Sequence, residues 1–233
     1  RWGDVTPKPQ VVGQLPTSVT VDELGVAAQL DAEPWHLPMG IRESDLGIAQ
    51  LEVFEGEHVM ICGPARSGKS TLLLAVGELV VAQDVTVWGV CGRRSPLAQA
   101  GLDRCAVGEE EATALLASAR VHSGRLVLLV DDAEQFADND QAFAGLLAAK
   151  TSDLLVVAAG RSDDLRTMYS HWTKTVRKAR CGVLLQPNID YDGELLGVTL
   201  PRRAPVEITP GRGYVMSSGS IDLLQAVSPS RAA

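Results

Sequence analysis

Apolar residues fall into short runs along most of this chain, and the runs alternate between strand and helix patterns. Continuous apolar runs of strand length predict buried strands at 58–62, 85–90, 125–130, 153–159 and 182–186. Apolar residues at helical spacing predict helices at 69–81, 109–120, 140–149 and, as one long or two short helices, within 163–180. Strand and helix therefore alternate through 57–186, which is typical of a doubly wound α/β sheet.

The residues before this alternating core predict a lead-in with few helices. Residues 1–20 are rich in proline and predict extended chain, with an edge strand near Val11. A short helix is expected at 21–30, with Thr20 as its N-cap. Strands are expected at 37–42 and 48–53.

Two other regions lack a regular pattern. Residues 92–107 are predicted to be irregular, and residues 187–233 are punctuated by Pro and Gly, which predicts a β-rich tail of short strands and turns. The last residues, 228–233, are expected to be disordered. We therefore expect one domain over 1–233, made of an extended or β lead-in (1–56), an α/β core (57–186) and the tail (187–233).

The phosphate-binding pattern G-x-x-x-x-G-K-[ST] is complete at 63–70, between a predicted strand and a predicted helix. Its two glycines permit backbone angles that turn amide N–H groups toward phosphates, and the following helix directs its positive end at the same anion. The lysine supplies positive charge to the β- and γ-phosphates, and the serine hydroxyl can ligate Mg²⁺. ATP and Mg²⁺ are therefore the predicted ligands. The predicted nucleotide contacts are Gly63, Pro64, Ala65, Arg66, Ser67, Gly68, Lys69, Ser70 and Thr71.

Two consecutive acids follow the apolar run at 126–130. Asp131 is expected at the C-terminal end of a buried strand, where open parallel sheets bind ligands, and is predicted to hold Mg²⁺ together with Ser70. Asp132 is the candidate to orient the attacking water, although many P-loop ATPases use the longer Glu for this role. Together with Lys69, these two acids are the predicted catalytic residues. The alternative is that both acids only cap the next helix.

Basic residues concentrate in 161–180. Three interpretations are open: a solvated helix face, a neighbour-facing surface that supplies an arginine finger, or a contact for nucleic acid. Arg161 follows the end of a core strand and is therefore the candidate sensor of the γ-phosphate. The cluster comprises Arg161, Arg166, Lys174, Arg177, Lys178 and Arg180.

Composition narrows the class of protein. The formal net charge is -8, which argues against non-specific coating of nucleic acid. The four cysteines form no C-x-x-C pair and predict reduced thiols in a cytoplasmic protein. No apolar run reaches the roughly 18 residues that a membrane span needs. Because the chain begins with Arg1, we expect it to be a piece of a longer protein, which could itself be membrane-anchored.

Two parts of the chain resemble FtsK/SpoIIIE-type P-loop ATPases: the strand, loop and helix at 58–83, and the acids Asp131 and Asp132 at the end of a predicted strand. The tail is more specific, because generic ATPases lack its motifs, and it looks most like the last ATPase domain of actinobacterial type VII secretion proteins of the EccC type. The tail motifs are G-V-L-L-Q-P at 182–187, D-G-E-L-L-G at 192–197, L-P-R-R at 200–203 and P-G-R-G-Y at 210–214.

The resemblance implies a RecA-like core with a mostly parallel central sheet and short β additions at both ends. It also implies assembly with neighbouring ATPase domains of the same chain or with further copies, with ATP at the interfaces. The family includes motors that export small helical-hairpin proteins and motors that pull DNA.

Three features differ from the DNA-pumping members. Asp132 stands where those proteins carry Glu, and A-G-R-S at 159–162 stands where they carry Thr-Gln-Arg-Pro. A winged-helix module that reads DNA is not evident. The sequence therefore favours an ATP-binding, weakly hydrolysing motor domain for type VII-like secretion, dependent on its neighbours. The alternatives are a DNA-translocating ATPase and a degenerate domain that binds nucleotide or docks partners.

Overall fold

A ten-stranded sheet forms the centre of the computed structural model, which describes residues 13–83, 85–149, 152–202 and 208–230. In chain order the strands are β1 (Trp35–Arg42), β2 (Ile48–Val53), β3 (Val59–Gly63), β4 (Thr86–Cys91), β5 (Arg104–Val107), β6 (Leu126–Val130), β7 (Leu154–Arg161), β8 (Gly182–Leu185), β9 (Arg212–Ser217) and β10 (Ser220–Ala226). Across the sheet their order is β2-β1-β10-β9-β8-β3-β7-β6-β4-β5. Strands β3 to β8 pair in parallel, and the pairings from β8 outward to β2 are antiparallel. The predicted α/β fold with a mostly parallel sheet is confirmed.

Helices cover both faces of the sheet, which explains why the core strands read as continuous apolar runs. Every residue of β3 and of β6 is buried. One apolar layer joins α2 to one face, and a second joins α3, α4, α5 and α6 to the other. The helices are α1 (Val21–Leu24), α2 (Lys69–Val81), α3 (Glu109–Ala119), α4 (Ala142–Ala148), α5 (Ser162–Thr167) and α6 (Thr173–Arg177), with 3₁₀ turns at Pro96–Gln99, Ala133–Gln135 and Asp192–Leu196.

The lead-in and the tail extend the same edge of the sheet. Strand β10 of the tail pairs with β1 of the lead-in, and β9 joins this pair to β8 of the core. The buried Arg212 reinforces the junction, because its guanidinium donates to the carbonyl of Leu15 at 3.4 Å and to the side chain of Gln225 at 3.3 Å. The short β additions predicted at the two ends of the chain thus meet in one place.

Three predictions about local structure are wrong. The helix expected at 21–30 ends at Leu24, because Gly25 adopts a left-handed conformation with φ 65°. Residues 92–107 are not irregular, since they contain the 3₁₀ turn Pro96–Gln99 and the edge strand β5, which pairs with β4. Residues 228–230 are not disordered: Ser228 pairs with Thr20, and the Ser230 amide donates to Glu78 at 3.0 Å.

Further predictions concern the basic stretch, the two ends of the chain and membrane-spanning segments. The basic stretch forms two short helices, α5 and α6, rather than one long helix. The edge strand predicted near Val11 and the final residues 231–233 lie outside the described residues. Within the described ranges, every helix is too short or too polar to cross a membrane.

Candidate functional site

The glycine loop connects β3 to α2 at the carboxyl edge of the parallel strands. A Cβ atom on Gly63 would lie 2.5 Å from the Ser67 hydroxyl oxygen and 2.6 Å from the carbonyl oxygen of Leu185, so a side chain cannot be accommodated there. Gly68 has φ +99°, a conformation that other residues rarely adopt. Glycine is therefore required at both positions for this loop to close.

Lys69 lies inside the loop that it terminates. Its side chain is buried, and its Nζ donates to the carbonyl oxygen of Pro64 at 2.7 Å. Burial lowers the pKa of Lys69, and the carboxylates of Glu134, Asp131 and Asp132 act in the opposite direction. The ammonium group therefore lies buried beside the loop, near three carboxylates. Because the dielectric constant of such a buried position is low, the ammonium would interact strongly with an anion bound in the loop.

The remaining loop residues differ in their exposure. Ser67 is fully buried, and its hydroxyl has no hydrogen-bond partner among the described residues. Ala65 and Arg66 are exposed, and Pro64 is half-buried. Ser70 is half-buried and Thr71 exposed at the start of α2.

The tail braces the loop directly. The amide of Gly211 donates to the carbonyl oxygen of Ser67 at 2.9 Å, and the amide of Gln186 donates to the carbonyl oxygen of Arg212 at 2.9 Å. A cavity of about 210 Å³ opens beside the brace, lined by Gly68, Thr71, Gly211 and the lead-in residues 17–19, among others. The tail motif at 210–214 therefore lies against the phosphate loop, a contact that the sequence pattern does not reveal.

Asp131 occupies the end of β6 and is 1% exposed. One carboxylate oxygen, Oδ2, accepts a hydrogen bond from the Ser95 hydroxyl at 2.5 Å. The other oxygen, Oδ1, is buried and has no hydrogen-bond partner among the described residues. A buried carboxylate oxygen without a protein donor suits a hard cation, so Asp131 fits the predicted Mg²⁺.

Ser95 is a site residue that sequence reasoning missed. It lies in the loop after β4 and also caps the turn Pro96–Gln99 by accepting from the Leu97 amide at 3.1 Å. The Ser-Pro dipeptide carries this capping signal, but nothing in the local sequence indicates the contact with Asp131.

Asp132 follows in a left-handed conformation, with φ 52° and ψ 46°. It is half-buried, and burial together with the neighbouring Asp131 raises its pKa. Its side chain makes no capping hydrogen bond to the 3₁₀ turn Ala133–Gln135, so the interpretation of this residue as a simple cap gains no support.

Glu134 is a third acid of the site that the sequence analysis did not identify. Its side chain is 6% exposed, and burial raises its pKa. One oxygen accepts from the Arg161 amide at 3.1 Å, and the other lies 3.6 Å from Nε of the same residue. The lack of a side chain at Gly160 makes room for the Glu134 carboxylate, because a Cβ there would lie 2.9 Å from it. The available signal was its position three residues after Asp131.

The predicted basic cluster divides into two parts. Arg161 ends β7 and pairs in register with Gly63 at the start of the phosphate loop. The other five basic residues line a separate groove of about 360 Å³ between α5, α6 and the turn Asp192–Leu196. They are Arg166, Lys174, Arg177, Lys178 and Arg180.

No family model matches the chain. Its sequence is 36% identical over 50 residues to the ESX-1 secretion system protein EccCb1 of Mycobacterium tuberculosis, and 34% identical over 62 residues to EccCb1 of Mycolicibacterium smegmatis. These matches cover 22% and 27% of the chain and 8% and 9% of the two relatives. The chain therefore corresponds to a small part of each relative.

Solved structures share the fold over almost the whole chain. The cytoplasmic domain of the EccC type VII secretion ATPase of Thermomonospora curvata superposes with a TM-score of 0.71 at 21% identity, over 94% of this chain and 29% of that one. ATPases 2 and 3 of EssC from Geobacillus thermodenitrificans give 0.72 at 20% identity, over 97% of this chain and 47% of that one. A further T. curvata structure contains EccC ATPases 2 and 3 in complex with a signal sequence peptide. The resemblance to EccC-type ATPase domains is confirmed.

Proposed function

We propose that this chain is an ATP-binding motor domain of a multi-domain FtsK/SpoIIIE-type ATPase that powers or regulates type VII-like protein secretion. The observation that carries the proposal is the pairing of two features at one sheet edge. Lys69 is held inside a glycine loop whose closure requires Gly63, and Asp131, at the end of β6, has a buried carboxylate oxygen without a hydrogen-bond partner among the described residues.

Each residue of the site has a defined task. Lys69 and the loop amides bind and orient the β- and γ-phosphates. Ser70 and Asp131 would hold Mg²⁺, which when bound supplies positive charge to the phosphates. Asp132 orients the attacking water and accepts its proton. The half-buried position of Asp132 beside Asp131 suits this role, whereas its short side chain limits its reach to the water, so we expect slow hydrolysis.

Hydrolysis is proposed to depend on a neighbouring domain or a further copy. Arg161 lies near Lys69, but its guanidinium is paired with Glu134. A second arginine supplied from outside would stabilise the charge that develops on the transferring phosphoryl group. We therefore expect the isolated domain to bind nucleotide and to turn it over slowly.

The transported substrate is proposed to be a small helical-hairpin protein. The T. curvata relative of similar fold was solved with a signal sequence peptide. The groove between α5 and α6 combines five basic residues with the exposed Tyr169, so it can receive an acidic segment that also carries apolar side chains. DNA is less favoured, because the net charge of -8 opposes a polyanion, and salt-sensitive DNA affinity would reverse this order.

Ser95→Ala is expected to weaken ATP affinity about 10-fold in the presence of Mg²⁺, because Asp131 loses the hydroxyl that orients it. Affinity measured in EDTA should not change. The half-buried Ser118, whose hydroxyl donates to a carbonyl within α3, gives the matched control Ser118→Ala. Equal losses with and without Mg²⁺ would contradict the role given to Ser95.

The proposed function is tested by titrating the purified chain with Mg²⁺-ATP while phosphate release is followed in the same samples. The measurement is then repeated with the adjoining ATPase domain of the parent protein present. Saturable binding with slow release that the neighbour accelerates would support the proposal. Fast release by the isolated chain would contradict the dependence on a neighbour, and absence of binding would leave a partner-docking domain.

A further inference from the structure

Arg161 and Glu134 form an ion pair at the mouth of the phosphate loop. Strand β7, which ends at Arg161, lies between β3 and β6, the strands that lead to the loop and to Asp131. The ends of all three strands therefore meet at the edge where open parallel sheets bind ligands. Arg161 pairs in register with Gly63, the first residue of the phosphate loop, which locates it beside the site rather than on a remote surface.

The two partners of this ion pair are unequally fixed. The Glu134 side chain is 6% exposed and remains anchored by the Arg161 amide, whereas the Arg161 side chain is 52% exposed. The guanidinium lies 3.6 Å from the carboxylate, a distance typical of a loose ion pair. The guanidinium is the exposed partner, and the buried carboxylate keeps its hydrogen bond from the Arg161 amide, so the guanidinium can leave without disrupting the backbone around it.

A terminal phosphate offers a stronger partner than this carboxylate. It carries more negative charge, and its oxygens match the fork of a guanidinium, which binds phosphate in a bidentate manner. A diphosphate bound by the same loop lacks the terminal group and would leave Arg161 with Glu134. The exchange of partners therefore depends on whether the γ-phosphate is present.

We propose that Glu134 acts as a latch for Arg161, whose guanidinium pairs with this carboxylate beside a nucleoside diphosphate and moves to the terminal phosphate of a triphosphate. The pair thereby lets the site discriminate ATP from ADP. This inference rests on the proposed function and adds a discriminating residue, Arg161, and a positioning residue, Glu134.

Hydrogen bonds connect the turn that carries Glu134 to the segment before α6. Glu134 belongs to the turn Ala133–Gln135, and the next carbonyl, that of Phe136, accepts from the Trp172 indole at 2.9 Å and lies 2.7 Å from Nε2 of His171. Trp172 immediately precedes α6 and stacks on Phe143 with ring centroids 4.0 Å apart. The turn that carries Glu134 is thus hydrogen-bonded to the segment that precedes α6, and α6 lines the basic groove.

The test compares affinities for ADP and for the slowly hydrolysed analogue ATPγS, both with Mg²⁺. Arg161→Gln is expected to lower the preference for ATPγS over ADP about 10-fold. Glu134→Gln should raise the preference for ATPγS over ADP about 3-fold, because loss of the carboxylate charge acts on both nucleotides whereas the released guanidinium reaches only the terminal phosphate. Arg161→Lys, which keeps the charge without the fork, should restore part of the preference.

The double variant separates a latch from simple charge repulsion. In the Arg161→Gln background, Glu134→Gln should give no further gain in the preference for ATPγS over ADP, because the group that it releases is absent. A gain that persists there, or a preference unaffected by Arg161→Gln, would overturn the inference while leaving nucleotide binding intact. Failure of the proposed function has a different result, since neither nucleotide would then bind to any variant. Asp45→Asn, in the exposed pair with Arg42, is the control and should change nothing.

Discussion

Lys69→Ala is expected to reduce the affinity of the chain for Mg²⁺-ATP by about 100-fold or more. The ammonium is buried in the loop, where a charge-assisted bond to phosphate is stronger than at an exposed site. The expected loss corresponds to about 3 kcal/mol, which is within the range for hydrogen bonds to charged groups. Calorimetric titration of the two proteins with Mg²⁺-ATP measures the difference.

The fold should survive this substitution. Lys69→Ala removes the bond to Pro64 but also removes a buried cation, so the melting temperature is expected to change little. Lys174→Ala, an exposed lysine of α6, serves as the matched control and should bind as the unmodified chain does. Equal affinities for the Lys69 variant and the control would show that the loop does not bind the phosphates.

Gly213→Ala is expected to lower the free energy of unfolding by about 3 kcal/mol, at the upper end of overpacking effects. A Cβ on Gly213 would lie 2.0 Å from the Leu184 carbonyl oxygen and 2.8 Å from the Leu185 Cα, which are backbone atoms that cannot rotate away. Strands β8 and β9 would have to separate at the register pair of Leu185 and Gly213. Urea unfolding followed by circular dichroism gives the measurement.

A second glycine-to-alanine substitution provides a control that is expected to raise the free energy of unfolding rather than lower it. Gly145 lies within α4, and among the described residues a Cβ there would meet only the Arg120 guanidinium, 3.5 Å away. Gly145→Ala should therefore stabilise the chain by about 0.5 to 1 kcal/mol through helix propensity. If Gly213→Ala were equally harmless, the close pairing of β8 with β9 would be wrong.

The sequence predicts the core elements well, because their signals are local. The buried strands β3, β6 and β7 appear as continuous apolar runs, and α2 begins at the lysine of the phosphate pattern. The edge strand β5 escaped detection because its four residues begin with Arg104 and only Ala106 is buried. Pairing with β4 decides its structure, and that partner lies earlier in the chain.

The residues of the candidate site likewise fall into those with a local sequence signal and those without one. Gly63, Lys69 and Asp131 stand in contiguous patterns whose chemistry can be read directly. Ser95 and Glu134 enter the site only through tertiary contacts, with Asp131 and with Arg161 respectively. The roles of Ser70, Asp131 and Asp132 stay predictions, because geometry supplies their positions and measurements must supply their chemistry.

The brace between Gly211 and Ser67 has a consequence for how the molecule is made on the ribosome. The phosphate loop leaves the exit tunnel long before residue 211, and the pairing of β1 with β10 joins segments that are separated by most of the chain. Contacts of such long range form slowly, and domains synthesised from the N-terminus complete them last. The loop of a nascent chain is therefore braced only after residue 211 and strand β10 have been synthesised, so chains interrupted before that point are expected to bind ATP weakly.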